Sequence, residues 1–142
     1  KINAVVITDH FKIDSKRIGR TYSDFIKFIE ENPNTPMVEM DTVHGTRSDK
    51  VLLTFIFRSC SLMIAFIIDS CSELAVREAI DKLYEVLGHE LFKQYFPVIL
   101  TDNGSEFKDP ESLELDTEGN QRTKVLEYTQ FDRHIENTYN KN

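Results

Sequence analysis

Pro97-Val98-Ile99-Leu100-Thr101-Asp102-Asn103-Gly104-Ser105-Glu106-Phe107 is the stretch that decides the fold of this chain. Val98-Ile99-Leu100 is a short apolar run of the kind that fills a central strand, Pro97 opens it, and Asn103-Gly104 is a turn dipeptide that stops it abruptly. Asp102 therefore falls on the rim of a buried strand, where the backbone is held on both sides and a carboxylate has a fixed position.

Working outward, a second acid has the same setting. Asp41 in Val38-Glu39-Met40-Asp41-Thr42-Val43 lies on or just past an apolar strand that starts at Met37. Two further runs follow, Val51 to Phe57 and Leu62 to Ile68, so that Met37 to Ile68 reads as three strands in succession. Both runs are nearly continuous in apolar residues, the pattern of strands covered on both faces. Ser70-Cys71-Ser72-Glu73 has the form of a capping box, and Ala75, Val76, Ala79, Ile80, Leu83 and Leu87 recur at three- and four-residue steps, which predicts a helix ended by Gly88.

The remaining elements are read in the same way. Leu91, Phe92, Tyr95 and Phe96 are expected to cover the connection into the fourth strand, and Asp109-Pro110-Glu111 starts a helix with proline at its first position. Thr117-Glu118-Gly119-Asn120 is a turn before a fifth strand over Thr123 to Tyr128, and Asp132 caps a last helix carrying Ile135, Glu136 and Tyr139. Ahead of the first strand, Ser23 is expected to cap a helix through Glu31, and Ile2 to Ile7 is rich enough in Val and Ile for a short strand. Residues 1–36 thus read as an extension with a short helix and residues 37–142 as the core. The prediction is an α/β fold, a five-stranded mixed sheet flanked by helices.

Glu136 follows Asp102 with 33 residues between them. Spacing alone has little weight where 24 of 142 residues are Asp or Glu; the neighbourhoods carry the argument. Met40-Asp41-Thr42-Val43, Thr101-Asp102-Asn103-Gly104-Ser105-Glu106-Phe107 and Ile135-Glu136-Asn137 resemble the three acidic blocks of the DDE transposases of bacterial insertion sequences, whose catalytic core is similar to that of retroviral integrases. The resemblance extends from about Ile18 to Tyr139, and the strand and helix order agrees with the ribonuclease H-like fold of that family. The third block departs from the family pattern: no tryptophan and no glycine precede Glu136 in Tyr128-Thr129-Gln130-Phe131-Asp132-Arg133-His134. Either the block is a variant, or loop residues are absent from the numbered chain.

The resemblance implies an enzyme, a polynucleotidyl transferase, with Asp41, Asp102 and Glu136 as catalytic residues and metal ligands. Phosphodiester cleavage builds charge on oxygens that are already anionic, and two Mg²⁺ or Mn²⁺ ions about 3.5–4 Å apart serve both the attacking and the leaving oxygen. Hard cations take oxygen ligands, which carboxylates supply together with charge. Asn103, Gly104, Glu106 and Asn137 are candidates for outer contacts to the metals or to DNA, and Lys16, Arg17 and Arg20, in a segment of charge +3 with Lys12 and Asp14, are candidate DNA contacts. Glu39 shares a strand face with Asp41 and is a potential competitor. The partners implied are DNA, as transposon ends and target, and a second copy of the chain.

Composition limits the alternatives. A net charge of −7 does not suit a simple nucleic-acid-binding domain, which clusters Lys and Arg against phosphates; the DNA-binding domain is expected to lie outside this chain. No apolar run approaches the roughly 18 residues that span a bilayer, and no secretory signal opens the sequence, so a cytoplasmic, nucleoid-associated bacterial protein is expected. Cys60 and Cys71 form no C-x-x-C pair and read as reduced, partly buried thiols, and the four scattered histidines do not make the zinc-binding domain that precedes retroviral integrase cores. Two other readings remain open: a ribonuclease H-like hydrolytic nuclease, and a core without activity that serves oligomerisation or regulation.

Overall fold

The computed structural model describes residues 15–46, 49–102 and 104–128. After a 3-10 turn at Ser15–Arg17, the elements are α1 (Tyr22–Glu31), β1 (Met37–His44), β2 (Val51–Phe57), β3 (Leu62–Ile68), α2 (Glu73–Leu87), α3 (His89–Tyr95), β4 (Val98–Thr101), α4 (Pro110–Glu114) and β5 (Lys124–Glu127), with a second 3-10 turn at Ser105–Phe107 between β4 and α4. The sheet order is β3-β2-β1-β4-β5. β2 pairs antiparallel with β1 and β3, whereas β4 runs parallel to both β1 and β5. One strand against four in that order is the ribonuclease H-like arrangement expected from the sequence.

Two apolar layers hold the sheet. On one face, Val38, Met40, Leu53, Phe55 and Ile99 meet Val76 and Ile80 of α2 and Phe92 of α3. On the other, Val98, Leu100 and Leu126 meet Tyr22 and Phe25 of α1. Alternation along β4 sends Ile99 to one layer and Leu100 to the other, as the period of two requires. All four β4 residues are buried.

The expectation of two covered faces fails for β3. One of its seven residues, Ile68, is buried, and Leu62, Met63, Phe66 and Ile67 are exposed. β2 is intermediate, with Leu52 and Ile56 exposed and Leu53 and Phe55 fully buried. The physical reason is position: α1 packs over Val98, Leu100 and Leu126 of β4 and β5, and no β2 or β3 side chain belongs to that apolar layer among the described residues.

The helix starts also differ from the sequence reading. α1 is capped by Thr21, two residues before Ser23: the Thr21 hydroxyl accepts from Asp24 N–H, and the Asp24 carboxylate accepts from the Thr21 backbone N–H in a reciprocal box. α2 is capped by Ser72, whose hydroxyl accepts from Ala75 N–H, not by Ser70. Gly88 ends α2 with φ of +79°, a conformation suited to glycine, and the next residue begins α3. Of the two thiols, Cys71 is partly buried but Cys60 is exposed. The strand expected over Ile2 to Ile7 and the helix expected after Asp132 lie outside the described residues. No helix among the described residues is long and apolar enough to cross a membrane.

Candidate active site

Parallel pairing places the two aspartates. β1 and β4 are matched Met37 to Val98, Val38 to Ile99 and Glu39 to Leu100, so continuing the register by two residues sets Asp41 level with Asp102. Neighbouring strands lie about 4.8 Å apart. Asp41, within β1, and Asp102, just past β4, are thus level at the point where β4 stops and β1 runs on to His44. The Asp41 carboxylate accepts a hydrogen bond from the backbone N–H of Thr42 at 2.8 Å, and that of Asp102 from Gly104 N–H at 2.8 Å.

A third carboxylate closes on the same point from the 3-10 turn. Glu106 is buried, at 8% exposure, and its Oε1 accepts from the Thr42 hydroxyl at 2.6 Å. Gly104 is squeezed between the two acids: a Cβ at this position would lie 2.6 Å from Glu106 Oε2 and 2.9 Å from Asp102 Oδ1. Glycine is needed here because the space belongs to carboxylate oxygens. Partial burial pushes the Asp102 carboxyl above its ordinary range, the negative charges of Asp41 and Glu106 push in the same direction, and the Gly104 N–H opposes them.

Cys71, just before α2, lies beside this cluster, its sulfur 3.7 Å from the Thr42 hydroxyl. Burial, together with the charges of Glu106 and Asp102, holds the thiol above its usual range against the opposing Thr42 contact, so it stays protonated and is a poor nucleophile. Thr42 and Cys71 were not singled out by the sequence; alternation along β1 was the available signal for Thr42, which must face away from Asp41. Glu106 stood among the outer candidates, and the structure brings its carboxylate, with that of Asp102, against Gly104.

Other sequence candidates have definite places. Glu39 is held by Arg58, 2.7 Å from Nε, and Arg58 lies over the rings of Phe25 and Tyr128, which removes Glu39 from competition with Asp41. The basic segment meets acids of the core: Lys16 pairs with Asp109, Arg17 with Glu127 at 2.6 Å, and Arg20 with Glu114. Glu114 also accepts from Val125 N–H, so Arg20 ties the approach to α1 onto α4 and β5. Asn103, Glu136 and Asn137 lie outside the described residues. Among the described residues, no three His, Cys, Asp or Glu side chains are arranged to hold a metal ion.

No family model matches the sequence, and no curated protein matches it. Among solved structures, the catalytic core domain of the HTLV-2 integrase, in complex with magnesium and in a dimeric form, is similar over 74% of this chain and 68% of its own, with 17% identity and a TM-score of 0.48.

Proposed function

We propose that this chain is the catalytic core of a DDE-type transposase, cleaving DNA at transposon ends and joining it to target DNA with Asp41, Asp102 and Glu136 as the metal-binding carboxylates. The observation that carries the reading is the meeting of Asp41, on β1, and Asp102, just past the end of the adjacent parallel strand β4, with Asp102 pushed toward its protonated form by burial and by the charges of Asp41 and Glu106. An anionic rim of this kind is relieved by a cation, and its donors are carboxylate oxygens, which suit Mg²⁺ or Mn²⁺. Glu136, eight residues beyond the last described residue, supplies the third ligand in this proposal, and the core unit comprises residues 37–142 with 1–36 as its extension.

When bound, such ions lower the pKa of an attacking water or hydroxyl and stabilise the leaving oxygen. The residues of the chain hold the arrangement. Asp41 is fixed by its pairing with Thr54 of β2, whose hydroxyl donates to the Asp41 backbone carbonyl. Asp102 is held through Gly104 N–H, and Glu106, anchored by Thr42, fixes the turn that carries both. In the proposed sequence, water cuts the transposon end and the freed 3′-hydroxyl then attacks target DNA, without a covalent bond to Ser105 or any other side chain.

The test is Mn²⁺ titration by calorimetry together with cleavage of DNA by the wild-type chain and by Asp102→Asn. Saturable Mn²⁺ binding that is lost in Asp102→Asn, with cleavage falling below detection and the fold unchanged by circular dichroism, is the expected result. Cleavage retained by Asp102→Asn would overturn the assignment. Absence of Mn²⁺ binding by the wild-type chain would favour the inactive, regulatory reading, and hydrolysis without joining the nuclease.

A further inference from the structure

We propose that Glu106 is a positioning residue, whose hydrogen bond to Thr42 clamps the turn carrying Asp102 against β1 and so sets the spacing between Asp102 and Asp41. The clamp stands on geometry alone; its consequence for cation binding rests on the proposed transposase reading. The starting observation is where the sheet stops. β1 and β4 pair from Met37 and Val98 to Glu39 and Leu100, two residues short of the aspartates. On its other side β4 is tied further, with Thr101 paired to Glu127 and the Thr101 carbonyl accepting from Tyr128 N–H at 2.6 Å. The strand ladder therefore holds the approach to Asp102 toward β5 but not toward Asp41, and side chains have to close the remaining gap.

Glu106 closes it. Its Oε1 accepts from the Thr42 hydroxyl at 2.6 Å, which bonds the turn to the residue next to Asp41. Its Oε2 lies against Gly104, whose N–H donates to Asp102 Oδ1 at 2.8 Å. Phe107 N–H donates to the Gly104 carbonyl at 3.0 Å, and the Phe107 ring is buried in the core, so the far end of the turn is anchored as well. The path from one aspartate to the other thus runs through Thr42, Glu106 and Gly104. Thr42 faces away from Asp41, so Glu106 reaches the rim from the side of Cys71 and acts on Asp102 through Gly104. The path has no slack at the glycine. Gly104 has φ of −63°, open to any residue, so an added Cβ would act only through its bulk, 2.6 Å from Glu106 Oε2 and 2.9 Å from Asp102 Oδ1. Groups one bond removed from metal ligands commonly govern how well those ligands bind.

Amide hydrogen exchange of the full chain without metal reads the clamp, and Mn²⁺ calorimetry reads its consequence. Thr42→Val leaves the Glu106 charge in place and removes its donor. Exchange at Gly104 and Phe107 is expected to quicken about tenfold or more relative to Ile99 and Leu100, and Mn²⁺ affinity to fall roughly 10–100-fold. Gly104→Ala is expected to weaken Mn²⁺ binding to a similar extent, and Thr42→Ser, which keeps the hydroxyl, to restore both readouts. Ile99→Val, a core change away from the clamp, is expected to leave Mn²⁺ affinity as it is. Unchanged exchange at Gly104 and Phe107 in Thr42→Val would overturn the clamp. Wild-type Mn²⁺ affinity in Thr42→Val, or a loss in Ile99→Val as large as in Thr42→Val, would overturn the positioning role and leave the transposase reading standing. A wild-type chain that binds no Mn²⁺ would overturn that reading and the positioning role together, with the exchange result unaffected.

Discussion

β3 and β4 are both nearly unbroken apolar runs, yet they have opposite fates. β4 has β1 and β5 as neighbours, α1 over one face and α2 and α3 over the other, and no residue of it is exposed. β3 ends the sheet and leaves most of its apolar side chains outside. The contrast teaches that apolar content reports what a strand can bury, whereas its place in the sheet order decides how many surfaces arrive to be buried. It also bears on where chemistry is placed. Asp102 inherits a fixed position because the strand behind it is clamped on all sides, whereas β3 has backbone and side chains to offer to another molecule.

Truncation should show the contrast most strongly. Ile99→Ala removes a fully buried side chain between β1 and β5, and denaturant unfolding should show a loss of about 2–5 kcal/mol. Ile67→Ala on β3, measured in dilute solution, should stay within about 0.5 kcal/mol. Equal costs for the two variants would break the comparison.

A smaller effect is expected at the rim itself. Thr42→Val keeps the shape of the side chain but leaves the buried Glu106 carboxylate without its hydroxyl donor, which should cost about 1–3 kcal/mol. The same change at Thr54 would affect a hydrogen bond to a backbone carbonyl instead, so a larger cost at Thr54 than at Thr42 would argue against a special role for the Glu106 turn.

The smallest effect lies far from both strands, in the turn between α4 and β5. Asp116 is held below the usual carboxylate range, first by Asn120 N–H and then by the Tyr84 hydroxyl and Glu118 N–H. A depressed pKa in the folded chain contributes stability that is present above the ordinary aspartate pKa and is lost as pH falls through the folded value. Carboxyl chemical shifts should therefore place the Asp116 midpoint below that of an unperturbed aspartate, and Asp116→Asn should flatten the acid side of the stability profile slightly.

Much of the fold was legible because it rests on local pattern. The limits of β2 and β3, the proline start of α4 and the end of α2 at Gly88 follow from apolar runs and turn residues that act within a few positions. The caps were misread by two residues at both α1 and α2, since several hydroxyls stood within reach of each helix start and the choice depended on which backbone N–H groups pointed at them. The Asp41–Asp102 pairing was legible from two strand ends in similar neighbourhoods. The place of Glu106 was not, because a 3-10 turn folds it back over Gly104 and its partners, Thr42 on β1 and Cys71 before α2, are distant in sequence.

What the amino-acid order determined by itself is the five strands, the helices α1, α2 and α4, and Asp102 just past the end of β4, for these depend on interactions between near neighbours in the chain; the separate helix α3 was read only as a connection. The tertiary structure alone decided that β3 is an edge, that Arg58 takes Glu39, that Lys16, Arg17 and Arg20 pair with core acids, and that Glu106 completes an anionic rim. Each of these joins residues distant in sequence, and an isolated apolar run or charge carries no information about which of its many complements will arrive beside it.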